Sequence, residues 1–177
     1  MTTRIGFLRA VNVGKRTVPM ARLADLVRGL GHEDVWTYIN SGNVVFDASG
    51  SRADLERSLA QAFEDDLGFE VTTFVRTAAE LRAALEVEPF PVVAGDTYFV
   101  TFLKEVPSAA EKAALEALSN DMDLLSVHGR DVHWRMHGTS MESSLKAKQW
   151  ADIVGKLRTT SRNTTMLRKL VVKINAG

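Results

Sequence analysis

A polar loop near the N-terminus carries the residues best suited to chemistry. Between Arg9 and Val18 the chain holds Asn12, Gly14 and Lys15, and it runs from a short apolar strand into a helix. Backbone N–H groups around a glycine, the positive end of a helix and a neighbouring cation can together hold an anion. The loop therefore predicts a binding site for a small anionic ligand. A structural alternative stays open, in which Gly14 shapes the backbone, Asn12 bonds nearby main-chain groups and Arg9 pairs with a carboxylate.

The same loop is superficially similar to the phosphate-binding loop of nucleoside triphosphatases. That loop requires the pattern G-x-x-x-x-G-K-[ST], whose glycines cradle phosphate and whose last hydroxyl binds magnesium. Here Arg9 stands where the first glycine is needed, and Arg16 follows Lys15. The two departures exclude a nucleoside triphosphatase, whereas the weaker prediction of anion binding survives.

A second polar segment, Asn40–Asn43, has the composition of a tight turn between two strands. Asparagine and glycine tolerate the positive φ angles that such turns need. Taken alone, the segment is most often only a hairpin. Ser41 and Asn43 become candidates for hydrogen bonds to a ligand because of where the predicted fold places this turn.

A third polar segment, Thr159–Thr165, is predicted to be a linker that opens the last helix, with Ser161 or Thr160 as its N-cap. Arg162 would then lie at a helix N-terminus, where the macrodipole disfavours a cation. An anion and an internal carboxylate partner explain that placement equally well. Arg162 and Asn163 therefore join the candidate residues.

Other kinds of active centre find little support in the sequence. The chain has no cysteine, which excludes disulfides, thiolate catalysis and cysteine-ligated metals. His128, His133 and His137 have no carboxylate at a matching spacing, so we predict no metal site. Serine and histidine occur without a nucleophile elbow. We predict no cofactor, and the pattern identifies neither a catalytic residue nor a reaction.

The order of the elements connects the first two polar segments. Residues 1–91 are predicted to fold as strand, helix, strand, strand, helix and strand, the ferredoxin-like arrangement of an α+β protein. Helices with one apolar face alternate there with short apolar strands. In this fold strand 3 lies beside strand 1 and runs antiparallel to it. The 9–18 loop and the 40–43 turn should therefore meet at one edge of the sheet.

Residues 92–177 are predicted to form a second α+β half with antiparallel strands and C-terminal helices, and to pack with the first half as one unit. Ser108 and Glu111 have the spacing of a capping box, and a hairpin surrounds residues 128–130. Along residues 132–136 apolar and polar side chains alternate. This alternation predicts that one face of that strand is buried.

Composition limits the surroundings and the partners of the chain. A hydrophobic fraction of 45% is ample for a core. There is no apolar run near the length of a membrane span, and Arg4 and Arg9 interrupt the N-terminal apolar stretch, so we expect a cytosolic protein without membrane association. The formal net charge of zero disfavours a general nucleic-acid binder.

Two other functions stay open as alternatives. Ferredoxin-like sheets can stack bases on aromatic side chains, and Trp36 and Tyr38 share one face of a predicted strand. A single-stranded nucleic-acid binding module is therefore possible despite the neutral charge. A protein-interaction module without a small ligand would use a sheet edge or the last helix.

Two N-terminal motifs resemble a known bacterial family. The run FLRAVNVG, the helix start VPM and the segment TYINSGNVVF are similar to domain of unknown function 1697 (DUF1697), over essentially the whole chain. Family members usually have glycine where Ala10 stands and a tryptophan after the pair that corresponds to Arg162 and Asn163. This chain has Thr164 instead. The resemblance implies an α+β fold with a ferredoxin-like part, and it implies no activity.

The sequence therefore predicts a protein that binds a small anionic ligand, such as a nucleotide or a phosphorylated metabolite. The site is expected where the 9–18 loop, the 40–43 turn and the 160–165 segment meet. The resemblance supports grouping their polar residues together. The predicted ligand-binding residues are Arg9, Asn12, Gly14, Lys15, Ser41, Asn43, Arg162 and Asn163.

Overall fold

The computed structural model describes all 177 residues of the chain. The chain divides into two units, residues 1–81 and 82–177. The division falls within a helix that precedes the proline-containing segment near residue 90, where the sequence patterns predict a boundary. No helix combines the length and the apolar character needed to cross a membrane.

The first unit is a four-stranded antiparallel sheet with the predicted ferredoxin-like order. The strands are arranged β2-β3-β1-β4, so β3 and β4 flank β1. The predicted α+β class and the placement of strand 3 beside strand 1 are confirmed. The elements are β1 (Thr2–Leu8), α1 (Met20–Gly29), β2 (Glu33–Thr37), β3 (Asn43–Ala48), α2 (Arg52–Leu67), β4 (Thr73–Thr77) and α3 (Ala78–Glu86), which crosses the boundary.

Local sequence explains where the helices of this unit begin and end. The Ser51 hydroxyl accepts a hydrogen bond from the Asp54 N–H at 3.1 Å and caps α2. Gly68 ends the same helix with a φ of 77°, a conformation that costs glycine little. Thr77 and Glu80 form reciprocal bonds of 2.7 and 3.0 Å at the start of α3, which is a capping box.

The second unit repeats the same plan. Its strand order is β6-β7-β5-β8, again antiparallel throughout. The predicted capping box of Ser108 and Glu111 and the hairpin around residues 128–130 are both present. The elements are β5 (Thr97–Leu103), α4 (Ala109–Glu116), β6 (Asp123–His128), β7 (Asp131–Met136), α5 (Ala147–Val154), β8 (Thr159–Asn163) and α6 (Thr164–Ala176).

The prediction that Thr159–Thr165 is a linker is wrong, because residues 159–163 form β8. This strand pairs antiparallel with β5, and the hydroxyls of Thr101 and Ser161 lie 2.7 Å apart across the pair. Hydroxyl residues favour caps and loops, which motivated the prediction, but threonine is also β-branched and suits a strand. The partner strand decided between these tendencies, and it lies almost sixty residues earlier in the chain.

The face of β7 predicted to be buried contains Val132 and Met136, and the opposite face is buried as well. Val132 and Met136 are buried as predicted, and His133 and Arg135 on the opposite face are 6% and 7% exposed. Alternation of polar and apolar residues normally indicates that one face meets water. Here the polar face is covered as well, so its side chains need hydrogen-bond partners within the protein or on a bound ligand.

Candidate functional site

The 9–18 loop and the 40–43 turn meet in the first unit, as the topology predicts. The Leu8 N–H donates to the Gly42 carbonyl at 2.8 Å, and the Asn12 carboxamide donates to the Asn40 carbonyl at 2.9 Å. Gly42 is required at this contact. Its φ is 75°, and a Cβ built there would lie 2.5 Å from Cγ2 of Val11.

The amide side chains at this edge are occupied by the protein itself. Asn12 accepts a hydrogen bond of 2.6 Å from the Val18 N–H through its other end. Asn43 is fully buried and donates to the Tyr38 carbonyl and to the Ser41 hydroxyl, at 2.9 and 2.8 Å. These contacts give Asn12, Ser41 and Asn43 a clear role in fixing the loop against the turn.

The cations of the loop have different surroundings. Partial burial lowers the pKa of the Arg9 guanidinium from its ordinary value. The Arg16 guanidinium lies over the ring of Phe69, 4.2 Å from the centroid, which is a cation–π contact. Lys15 is exposed beside Gly14, whose φ is 64°. Ligand binding by Arg9, Gly14 and Lys15 stays a prediction.

Arg162 and Asn163 belong to the second unit. Arg162 lies on β8 with 8% exposure, and it donates to the Thr160 hydroxyl at 2.8 Å and to the Ser161 carbonyl at 3.0 Å. Burial lowers its pKa to about 10. Asn163, rather than Ser161 or Thr160, is the N-cap of α6, because its side-chain oxygen accepts from the Thr165 N–H at 2.8 Å.

A cavity of about 300 Å³ lies in the second unit, next to the start of α6. This volume is at the lower end for pockets that bind small organic ligands. One wall is apolar and comes from the segment between α3 and β5, with Phe90, Val92 and Val93. The Tyr98 hydroxyl donates to the Pro91 carbonyl and accepts from the Val93 N–H at 3.3 Å, so it holds this wall in place.

The first turns of α6 also line the cavity. Thr164, Thr165 and Arg168 line the cavity, and Thr164 and Arg168 are four residues apart on one helix face. Arg168 donates to the Leu85 carbonyl at 3.1 Å and lies 3.5 Å from the Glu88 carboxylate. Both charged side chains are more than half exposed. The lining of the cavity thus includes a helix N-terminus and a cation.

Two buried hydrogen-bonding atoms in residues that line the cavity have no hydrogen-bond partner in the protein. They are Nε2 of His133 and Oδ2 of Asp96. The Asp96 side chain is 5% exposed, and the nearest guanidinium nitrogen, Nε of Arg135, lies 3.7 Å from Oδ2. Buried polar groups without partners are uncommon in proteins and costly. Since Asp96 forms an ion pair with Arg135 at this distance, Nε2 of His133 is the buried polar atom of the lining that lacks any partner in the protein.

The imidazole of His133 is neutral at physiological pH. Burial, with a smaller contribution from the nearby His128, lowers the pKa of His133 from 6.5 to about 4. The two rings are 5.3 Å apart and perpendicular. A neutral imidazole has one nitrogen that donates and one that accepts, so the His133 side chain can form hydrogen bonds with a ligand while it carries no charge.

A family model described as "Protein of unknown function (DUF1697)" matches residues 1–133, which is more than half of the chain. The chain belongs to the DUF1697 family. The resemblance inferred from the two N-terminal motifs is thereby confirmed. This identification establishes relationship, and the family description carries no activity.

The fold of this DUF1697 protein is also found in a solved structure. The structure of the conserved bacterial protein SP0830 from Streptococcus pneumoniae is similar with a TM-score of 0.75 and 24% sequence identity, over 99% of each chain. At that identity the similarity shows the fold alone. No curated protein matches the chain.

His137 of this DUF1697 member, which bonds the cavity-lining Asp96, has a carboxylate partner of the kind that orients a catalytic base. His137 Nδ1 lies 2.7 Å from Oδ1 of Asp96, while Nη2 of Arg135 lies 2.9 Å from His137 Nε2. The hydrogen bonds are satisfied when the ring is protonated on Nδ1 and accepts from the guanidinium. The basic nitrogen, Nε2 of His137, already accepts a hydrogen bond from Arg135. The three side chains therefore form a structural network.

Sequence reasoning missed most of the residues of the cavity in this DUF1697 chain. Asp96, Arg168 and Phe90 carry no local signal, because each is an ordinary residue of a turn, a helix or a connector. His133 was considered only as a metal ligand, and no cluster of three or more histidine, aspartate or glutamate side chains has the arrangement to hold a metal ion. The one sequence feature that points to this region is the alternation of polar and apolar residues along β7.

Proposed function

We propose that this protein binds a small organic anion in the cavity of the second unit. The observation that carries the proposal is the convergence of Thr164, Thr165 and Arg168 on one wall of that cavity. The N–H groups of a first helical turn lack partners within the helix, and they attract negative charge. Asn163 caps only one of them, that of Thr165.

The first turn of α6 contains no acidic residue of its own. In α3, by contrast, the Glu80 carboxylate occupies the equivalent position and accepts a hydrogen bond from the Thr77 N–H. A helix start that is already neutralised by its own carboxylate gains little stability from binding an external anion. The start of α6 has no such carboxylate and lies beside a cavity, so an anion bound there would stabilise it.

Glu88 competes with a ligand for Arg168, and the magnitude of that competition is small. The two charges are 3.5 Å apart and more than half exposed to water. Exposed ion pairs contribute about 0–1 kcal/mol. A phosphate or carboxylate that forms charge-assisted hydrogen bonds gains roughly 1.5–3 kcal/mol, so it can displace Glu88.

The first-unit site predicted from sequence is the weaker candidate. Asn12, Ser41 and Asn43 bond the loop to the turn, which leaves the cations of the loop to attract a ligand. Tyr38, one of the two aromatic residues of the nucleic-acid alternative, lies beyond the end of β2, and both are half-buried. No specific observation favours that alternative or a protein-interaction module, and both stay predictions.

Thermal denaturation with added anions tests the proposal. Inorganic phosphate, ribose 5-phosphate and AMP are compared with sodium chloride at equal ionic strength, for the wild type, Arg168→Gln and Lys169→Gln. We expect a phosphorylated compound to raise the Tm of the wild type, and Arg168→Gln to weaken binding about tenfold. Lys169 is the matched control, because it is the next residue of α6 and does not line the cavity.

Two results would contradict the proposal. One is the absence of any Tm increase with all three phosphate compounds. The other is an equal loss of stabilisation in Arg168→Gln and Lys169→Gln, which would mean that only general positive charge is involved. Arg9→Gln separates the two candidate sites, since its effect reports on the first-unit loop alone.

A further inference from the structure

We infer that the ligand of this cavity is a nucleoside monophosphate, held by its phosphate at α6, by its base against Phe90, and by its hydroxyl or amino donors at Asp96 and His133. This inference rests on the proposed function, because it names the class of anion that the same site takes. Three separate features of the cavity lead to it.

The first feature is a pair of buried polar atoms without a hydrogen-bond partner, one on Asp96 and one on His133. Asp96 Oδ2 is buried without a hydrogen-bond donor, and a carboxylate can only accept. His133 Nε2 is likewise unpartnered. Sulfate carries no donor, so it would leave Asp96 Oδ2 with only the Arg135 guanidinium, whose Nε is 3.7 Å away. A ligand with N–H or O–H donors away from its charged group would give this carboxylate a hydrogen bond.

The second feature is the apolar wall. Val92 is 82% exposed and Val93 is 46% exposed, although both line the cavity. Phe90 lies on the same segment and offers an aromatic ring. A flat heterocycle covers such a wall well, since stacking on an aromatic side chain depends little on which base is present. A simple sugar phosphate would leave the wall exposed to water.

The third feature is the size of the space and the mixture of groups that line it. The cavity of about 300 Å³ is lined by the Arg168 cation, by its neighbour Glu88 and by the apolar segment of Phe90. The carboxylate of Asp96 also lines it. Nucleoside monophosphates combine one charged group, several donors and one flat apolar group in a molecule of that order of size. Larger nucleotides carry further charges, and Arg168 is the only lysine or arginine among the lining residues.

Isothermal titration calorimetry with four probes tests the inference: AMP, CMP, ribose 5-phosphate and inorganic phosphate. The proteins are the wild type, Phe90→Ala, Asp96→Asn and the control Asp152→Asn, an exposed aspartate of α5 that pairs with Lys148. We expect AMP or CMP to bind the wild type at least about tenfold more tightly than ribose 5-phosphate. Phe90→Ala should remove that difference and leave the affinity for ribose 5-phosphate unchanged.

Asp96→Asn should weaken nucleotide binding about tenfold without changing the binding of inorganic phosphate, because only the nucleotide brings donors to that position. Asp152→Asn should behave as the wild type. Circular dichroism shows whether each variant is folded. If Asp96→Asn is not, Phe90→Ala decides alone, since Phe90 is outside the network of Asp96 and His137.

The outcomes distinguish this inference from the function on which it rests. Equal affinities for the nucleotides and ribose 5-phosphate, or an unaltered preference in Phe90→Ala, would overturn the inference and leave anion binding intact. Binding of ribose 5-phosphate with no binding of either nucleotide would do the same. If no phosphate compound binds, both the inference and the proposed function fall.

Discussion

The two units of this protein have the same fold, and the same backbone contacts recur in both. Leu8 in the first unit donates to Gly42, and Leu103 in the second donates to Arg130, each at 2.8 Å. In both units the fourth strand runs directly into a helix. A position in one unit can therefore be compared with its equivalent in the other, which separates what the fold needs from what it does not.

A buried arginine is one of the shared features. Arg76 pairs with Ile5 in the first sheet, and Arg162 pairs with Val100 in the second, at the equivalent position of the fourth strand. Both are less than 10% exposed. Because the arginine recurs at the equivalent position of both sheets, burial of Arg162 belongs to the common architecture. This makes Arg162 a weaker candidate for ligand contact than the sequence suggested.

The differences lie at the cavity. Ile5 is flanked by Val45 in the first sheet, whereas Val100 is flanked by His133 in the second. Glu80 neutralises the start of α3, whereas the first turn of α6 has no acidic residue. The first unit has the same fold with valine and an internal carboxylate at these positions. We propose that the polar groups of the second unit serve a ligand instead.

The largest expected effect separates two glycines of the first unit. Gly42→Ala should lower the free energy of unfolding by about 3 kcal/mol, from a positive φ and from the contact of a Cβ with Val11. Gly14→Ala is the matched control, with a φ of 64° and open space around it, and it should cost about 1 kcal/mol. Urea denaturation measures both, and equal costs would show that the loop yields easily to the turn.

The next effect concerns His133 and is pH-dependent. The unfolded chain protonates this imidazole near 6.5, and the folded protein only near 4, so its contribution to stability is present above pH 6.5 and is lost as the pH falls toward 4. We expect His133→Val to remove about 2–3 kcal/mol of the acid-induced loss.

Urea denaturation at about pH 7 and about pH 5 measures this linkage. His128→Gln is the control, since burial of His133 is the larger cause of its lowered pKa and His128 the smaller. That variant should retain most of the pH dependence. An unchanged slope in His133→Val would mean that its imidazole is solvated, and that the two sheets do not differ at this position in the way described.

Asn12 tests whether the first-unit loop is structural. Asn12→Ala leaves the Val18 N–H and the Asn40 carbonyl without their partner, and we expect a loss of about 1–2 kcal/mol. Lys15→Ala, three residues away and exposed, should change stability by less than about 0.5 kcal/mol. If neither substitution changes the free energy of unfolding, the Asn12 amide does not stabilise the loop. The loop would then again be a candidate ligand site.

The smallest effect concerns the two helix starts. Glu80→Gln should cost about 0.5–1 kcal/mol, because a neutral amide keeps the shape of the capping box and loses its charge. Thr165→Glu should stabilise the unliganded protein by a similar amount, by giving α6 the acidic first turn that α3 already has. Thermal denaturation measures the change in stability of each variant. Changes of the same sign would show that the two helix starts do not differ in this way.

Much of the fold followed from sequence, and the reason is local. Capping residues such as Ser108 and Glu111 act within one helical turn, so their spacing is readable. The meeting of the 9–18 loop and the 40–43 turn followed from topology once the strands of the first unit were recognised. β8 was missed because its residues also suit a linker, and only pairing with β5 decides between the two.

The candidate site depended on contacts that no local pattern reveals. Asp96 meets His137 across 41 residues, and Arg168 meets Leu85 across 83. The unsatisfied nitrogen of His133 is visible only after both faces of β7 are found to be buried. The sequence indicated polar candidate residues near the end of the chain, at Arg162 and Asn163. In the structure, the residues that line the cavity are those that follow them.

On this comparison, the start of α6 accepts an external anion where α3 has its own carboxylate. Calorimetric titration of ribose 5-phosphate into the wild type and into Thr165→Glu tests this difference, with Glu80→Gln as the control. We expect binding to the wild type and to Glu80→Gln, and at least about tenfold weaker binding to Thr165→Glu. Equal affinity in all three proteins, or binding to none, would contradict it.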